Sequence, residues 1–540
     1  RKGALVRALL DSPHYGERWA RHWMDLVRYA ESRGHEGDSI VPNAYRYRDY
    51  LVRAFNTDLP YDALVTEHLA GDLLENPRLH PETGANESIL ATGWPFFGEM
   101  LESPVDLRQD ECDRLDNKVD VMSKTFLGLT VACARCHDHK FDAIHQRDYY
   151  AMAGFILSSS YRQARFESME QNKAVAKKLE ELHRNHLSKI AKAFTVAARP
   201  VVDALDDDVP VRPKLVTSPI YRVEGKHQIV ADYTQRNTPW LVDGPIFGQS
   251  PALPGELMLV AGDQPLALSR NGGAIRDPFW NGLKNVDSEN DPKEGLLNGL
   301  SRAGKTIRTP TITLASGQVY YLIRGKATVY AAVSQNLFAG PLHGTLTRTV
   351  EAKGDAPQWI GHNLKHYAGQ RVHFEFSPVG GAPFELLQVI DGGTPKQEPG
   401  VQKTVSRKEL HLALDDLADG RLEARHLHHV AWLLEAGKVK IPDESIKSWQ
   451  SALDDLAKEV RWESRLAVSW WGGTGVDEHI LERGSPQLPG KRVGRNLPEL
   501  LAMAPLQNRS TGRLELAQQL TAKDHPLTSR VIVNRIWHQL

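Results

Sequence analysis

Phe126-Leu127-Gly128-Leu129-Thr130-Val131-Ala132-Cys133-Ala134-Arg135-Cys136-His137 is the stretch from which the rest of the chain is read. It ends an apolar stripe. Val119, Met122, Phe126, Leu127, Leu129, Thr130 and Val131 predict a helix over 116–134 that runs straight into Cys133. The residues that follow spell C-x-x-C-H. Two thiols three apart, with an imidazole next, form the attachment pattern of c-type haem: the thiols add across two vinyl groups and the adjacent histidine reaches the iron. On this reading Cys133 and Cys136 carry one covalent haem c, and His137 is its proximal ligand. The same side chains with His139 also suit tetrahedral zinc. That alternative describes a carbohydrate-associated enzyme, or a binding or adhesion protein, whose Cys/His cluster holds zinc or no metal. A thioredoxin-type dithiol needs a βαβ context that is missing around Cys133.

The chain has 540 residues, enough for several domains, and only three cysteines. The third, Cys112, sits in Asp110-Glu111-Cys112-Asp113 and reads as a free structural thiol, so there is no disulfide scaffold. A hydrophobic content of 41% supports real cores. A net charge of −1 gives no argument for nucleic acid as a partner. No run approaches the roughly eighteen apolar residues of a membrane span. The ends, Arg1-Lys2-Gly3 and Ile536-Trp537-His538-Gln539-Leu540, read as cuts in a longer polypeptide, so a missing leader says nothing of destination. Haem attachment itself points to the periplasm or cell envelope.

The expected fold class is multidomain α+β. Residues 1–165 read as a helical haem domain, with Trp19, Trp23, Leu26, Val27 and Ala30 at helical spacing and further helices over 49–55, 63–70 and 146–157. A charged connecting helix fills 166–205, seamed by Val175, Leu179, Leu182, Ile190 and Phe194. Residues 206–397 turn to Gly, Pro, Thr and alternating β-formers. This predicts an inserted β-sandwich or jelly roll, with a hairpin joining Thr311–Leu314 to Val319–Ile323. Residues 398–470 predict a helical hairpin that packs on the connecting helix as a stalk, and 471–540 a truncated C-terminal domain.

Several blocks resemble a known family. They are 22–31 (HWMDLVRYAE), 45–50 (YRYRDY), 55–62 (FNTDLPYD), 69–72 (LAGD) and, most specifically, 126–142 (FLGLTVACARCHDHKFD). Together they resemble the planctomycete-type cytochrome-c-like domain family. Arg483-Gly484, Pro489-Gly490, 510–514 (STGRL) and 526–537 (PLTSRVIVNRIW) resemble its usual C-terminal companion. The resemblance implies large exported proteins, often with a second haem domain, and transfers no established reaction. Ala143 stands where the family commonly has proline.

The expected function is an exported, modular c-type cytochrome that transfers electrons, coupled to an oxidoreductase in the breakdown of polysaccharide or organic matter. Its redox partner protein is unspecified. His22, Met24, His35, Met122 and His145 have the chemistry of a sixth ligand, with His22 the preferred one. Arg28, Arg46 and Arg48 suit haem propionates, although carboxylates Asp25, Glu31 and Asp49 lie near them in sequence and offer plain ion pairing. Trp240, Trp280, Trp359 and Tyr367 suit either sugar stacking, with polysaccharide as the partner, or a core. Glu180-x-x-His183 and Glu423-x-x-His426 read as solvated faces, as does the acidic run Asp206-Asp207-Asp208.

Overall fold

The computed structural model describes residues 2–540 except 36–37, 102, 206–214, 217–218, 262–263, 287–295, 298–299, 335–340, 401, 404–405, 421, 436–438, 503, 505 and 507–509. The acidic run at 206–208 lies outside the described residues.

The first part is helical. Its helices are α1 (Lys2–Leu10), α2 (His14–Leu26), α3 (Tyr45–Asn56), α4 (Tyr61–Ala70), α5 (Leu107–Leu127) and α6 (Gln146–Leu157). Trp23, Tyr47, Tyr50, Phe126 and Tyr149 are buried between them. This core has a polar centre: His68 Nδ1 donates to Leu64 O at 2.7 Å, leaving Nε2 to accept from Trp23 Nε1 and the Tyr47 hydroxyl at 3.0 and 2.8 Å. Every polar atom of the buried ring is thus paired.

After the strand Ser159–Ala164 comes α7 (Met169–Asp203), which lies within the 166–205 expected of the connecting helix. A ten-stranded antiparallel sheet follows. Its main path runs Ile220–Asp232, Phe384–Glu398, Gln318–Val333, Arg371–Pro378, Thr306–Arg308, Leu241–Asp243. Gln318–Val333 gives one half to Gln358–Asn363 and Phe384–Glu398 and the other to Thr347–Glu351 and Arg371–Pro378. The change of partner falls near a register shift at Leu322/Ile323 and at Gly325, whose φ of 80° brings Pro383 O into the space a Cβ would fill. The expected sandwich is therefore one curled antiparallel sheet.

The expected hairpin is corrected. Ile312–Thr313 pairs with Arg371–Pro378, not with Gln318–Val333. In the turn between them the backbone N–H groups of Ala315, Ser316 and Gly317 are taken by the Asp391 carboxylate instead of by a hairpin partner.

Then come α8 (Arg407–Ala418), α9 (Leu427–Glu435) and α10 (Asp443–Glu459). Helices α8 and α10 pack on α7, as the seams predict. These helices share one apolar core with the sheet, so α7 and the stalk close one side of it. Trp280 and Tyr367 belong to this core and are shielded from any sugar, while Trp240 donates its Nε1–H to Gly248 O at 3.1 Å. His183 packs against Trp449, and His426 bonds Asp416, so the two Glu-x-x-His segments serve separate contacts. Both histidines leave the solvated faces assigned to them.

The chain then returns to the helical part. Ala467–Gly472 pairs antiparallel with Ser159–Ala164, Ser159 opposite Gly472. Trp470, Leu481, Leu497 and Leu516 of helix α11 (Arg513–Leu520) join the first core. The last helix is α12 (Thr528–Gln539). A buried polar layer links the two cores: Arg162 to Asp243 at 3.0 Å, Arg308 to Ser160 at 2.7 Å, and Arg371 to Glu111 and Glu478 at 2.6 and 2.7 Å. No helix among the described residues is long and apolar enough to cross a membrane.

Candidate functional site

Helix α5 begins earlier and ends earlier than its apolar stripe predicts. Asp106 starts it by accepting the N–H groups of Arg108 and Gln109 at 3.1 and 3.0 Å. Gly128 ends it in the left-handed region, φ 66°, and Leu129 N–H returns to Ser123 O at 3.3 Å. The last turn has a second cap from far along the chain, since the Arg535 guanidinium of α12 donates to Thr125 O and Lys124 O, both at 2.5 Å. The glycine stop outweighs the apolar period, and Val131–Arg135 forms a separate 3-10 turn.

That turn carries the C-x-x-C-H residues. Cys133 and Cys136 are free and exposed, while Cys112 is free and buried, with its thiol pushed up to about 11 by burial. His137 is exposed, and its Nδ1 bonds Asp138 O at 2.7 Å. A nitrogen facing a carbonyl is the protonated one, so Nε2 keeps its lone pair.

The turn is held from behind. Tyr150 donates its hydroxyl to Arg135 O at 2.9 Å. Gln146 Nε2 donates to Arg135 O at 3.0 Å and to Leu481 O at 2.9 Å, tying the turn to the 481–485 segment. The following loop is anchored by Asp138, whose carboxylate accepts Gln146 N–H at 2.8 Å, and by buried Ile144. His139 Nδ1 accepts the N–H groups of Phe141 and Asp142 at 3.2 and 2.9 Å, so its Nε2–H donates to Thr130 Oγ1 at 2.9 Å.

The two donor sets sit differently in this arrangement. His139 has both ring nitrogens engaged, and among the described residues no three His, Cys, Asp or Glu side chains converge as a metal site. The tetrahedral set Cys133, Cys136, His137 and His139 is not assembled. The attachment set fits c-type haem chemically, with two accessible thiols on one turn and an imidazole whose Nε2 is available. The described cavities are lined by other residues, so no enclosing crevice adjoins the thiols among them.

The other expected residues lie elsewhere. His22 is half-buried on α2 with its ring edge-on to Trp19. Met122 is core, and His145 lies beside Asp138. Arg28 pairs with Asp120 on α5 at 2.5 Å, Arg48 with Glu31 and Asp49 at 3.0 Å each, and Arg46 donates to Leu466 O and covers the Phe166 ring. Arg28 and Arg48 thus meet carboxylates, the ion-pairing alternative, and Arg46 joins the helical part to the returning chain. Sequence reasoning missed Gln146 and Tyr150, which hold the Arg135 carbonyl, and Gly484, where a Cβ would stand 2.6 Å from Cys136 Sγ. Arg483-Gly484 carries the family resemblance but gives no hint of that contact.

Residues 1–161 match the family model described as PSCyt2, a protein of unknown function (DUF1549). Residues 512–540 match the one described as PSD1, a protein of unknown function (DUF1553). No curated protein and no solved structure matches the chain. The two matched segments touch: Arg513 on α11 meets Asp72 at 2.7 Å with both side chains 1% exposed, and Arg535 caps α5. Residues 1–161 and 512–540 thus match the two family models of the planctomycete-type pair, and the two matched segments lie against each other.

Proposed function

We propose that the Cys133–His137 turn is a covalent attachment site for one haem c, and that the chain is a multidomain electron carrier acting outside the cytoplasm. The observation that carries this reading is the turn itself: two exposed thiols beside an imidazole whose Nδ1 is fixed by Asp138 O. Cys133 and Cys136 would form the two thioethers, and His137 Nε2 would face the iron. The group would supply a one-electron couple. The chain's own contribution is positional. Tyr150 and Gln146 fix the Arg135 carbonyl, and Gly128 with Arg535 fixes the helix end before the turn. His22 remains the preferred sixth ligand, and export follows from where such attachment takes place.

The test is expression behind a secretion signal with a c-type maturation system, read by the reduced absorption spectrum. Sharp c-type bands that survive acid–acetone extraction support the proposal, and a colourless protein under competent maturation rejects it. His22→Ala tests the sixth ligand: loss of a low-spin spectrum supports it, and an unchanged one removes it.

A further inference from the structure

Helix α7 lines one side of a cavity of about 350 Å³, and the 247–252, 256–260 and 275–278 segments line the other. That volume is at the lower end of ligand pockets, which run from about 300 to 1,000 Å³. Phe247, Met258, Leu259, Ile275 and Pro278 give it an apolar wall. Two charges stand in the same wall. Arg276 is 7% exposed. Its Nη1 and Nη2 donate to Ala382 O at 3.2 Å and Asn281 Oδ1 at 2.6 Å, both neutral, and its Nε has no partner. Among the described residues no carboxylate lies within ion-pairing distance of it, and burial alone lowers the guanidinium from its ordinary value. Asp277 follows it in the chain. One of its oxygens accepts Phe279 N–H at 2.9 Å, and among the described residues no cation lies within ion-pairing distance. Burial pushes this carboxyl up to about 6, against the pull of that one hydrogen bond. The remaining charges of the wall are committed: Glu180 pairs with Arg184 at 3.2 Å, and Glu256 with Arg236 at 3.5 Å. His183 lines the cavity as a neutral ring, since burial, with His186, holds it down to about 4.

A charge taken out of water without a partner is costly, and proteins ordinarily pair it. Here a cation and an anion line one cavity and do not pair with each other. A ligand that satisfies both carries both charges itself. Consecutive residues leave the backbone about 3.8 Å apart, so the two charges of the ligand must also be close, as they are on a single α-carbon. We propose that this cavity binds a free α-amino acid with an apolar side chain: its ammonium meets Asp277, its carboxylate meets Arg276, and its side chain lies against Phe247, Met258 and Ile275. Asp277 keeps the oxygen that Phe279 does not use, and Arg276 keeps N–H donors beyond those given to Ala382 and Asn281. A simple amine would leave Arg276 unmet, and a simple acid would bring a second anion beside Asp277. The inference does not depend on the haem reading.

The test is isothermal titration of the full chain with L-leucine and L-phenylalanine, each compared with the amine that lacks its carboxylate and the acid that lacks its ammonium. The amino acid should bind at least about tenfold more tightly than either truncated compound, the factor of one charge-assisted contact. Its affinity should fall as pH drops through about 6, where Asp277 takes up a proton, before His183 gains charge near 4. Asp277→Asn keeps an oxygen for Phe279 N–H and loses the charge. It should weaken the amino acid at least about tenfold and leave the truncated acid unweakened. No binding of either amino acid at about 1 mM overturns the site. An amine that binds as tightly as its amino acid overturns the role of Arg276, and an acid that does so overturns that of Asp277. The ligand series on the unaltered protein keeps the result clear of any folding defect in the variant.

Discussion

A Cβ built on Gly484 would stand 2.6 Å from Cys136 Sγ. The two residues are 348 positions apart in sequence. Gly484 has φ 73°, so both its backbone and its missing side chain are used. Gly484→Ala should cost about 1–2 kcal/mol of stability from the left-handed backbone alone. It should also push the Cys136 sulfur aside and leave Cys133 untouched. Maleimide labelling followed by mass mapping should show a changed rate at Cys136 only. Gly494→Ala, where a Cβ meets open space, is the control. Equal effects on both thiols would show that Gly484 acts through general unfolding.

Gln146 bridges two carbonyls, and the Tyr150 hydroxyl reaches both, at 2.9 Å to Arg135 O and 3.5 Å to Leu481 O. Gln146→Leu should loosen the 481–485 segment from the turn at a cost of about 1 kcal/mol, since both Gln146 hydrogen bonds are lost while Tyr150 still donates to Arg135 O. Hydrogen exchange in peptides spanning 131–137 and 481–485 should rise together. A rise in one alone contradicts the clamp.

The Asp72–Arg513 pair is buried on both sides, and Arg513 also donates to Leu69 O and Ser159 Oγ and lies over the Trp470 ring. Removing one partner strands the other charge. Asp72→Asn should lower stability by about 3–5 kcal/mol in urea titration. A loss no larger than that of a surface ion pair would mean that the two matched segments are not docked through this contact.

Acid should unfold the chain in two stages. Burial holds His68 and His373 down to about 4, so the fold keeps them neutral. The unfolded chain takes up these protons as pH falls below 6.5, and stability is lost between 6.5 and 4. Glu111 and Glu375 behave oppositely in cause but alike in effect. Burial raises each, but Arg371 with Arg108, and Arg302, outweigh it and hold both near 2. Their stabilisation is complete above 4.5 and is lost as pH falls from there towards 2. The urea midpoint should decline from pH 7 to 5 and fall further from 5 to 3. A midpoint flat from 7 to 5 contradicts the buried-histidine assignment.

Helices were legible where burial repeats at their own period. The α6 span and the α7 seam, with α8 and α10 against it, follow from such spacing. The α5 stripe ran past its end because periodicity is blind to one residue in the left-handed region, although Gly128 was in plain sight. The hairpin failed because Asp391, far along the chain, takes the turn's N–H groups. Trp280 and Tyr367 looked alike as core or platform, and only the curled sheet put them inside. The thiol turn was legible because its residues are contiguous. Gln146, Tyr150 and Gly484 were not, because their positions depend on strand Ala467–Gly472 returning to Ser159–Ala164.

The most direct test of the account is the intact mass of the exported chain after c-type maturation, beside its Cys133→Ser, Cys136→Ser and Cys112→Ser variants. The account predicts one haem of added mass in the unaltered chain and in Cys112→Ser, and weakened attachment in each of the other two. An unaltered chain that leaves a competent maturation system at its bare polypeptide mass would contradict it.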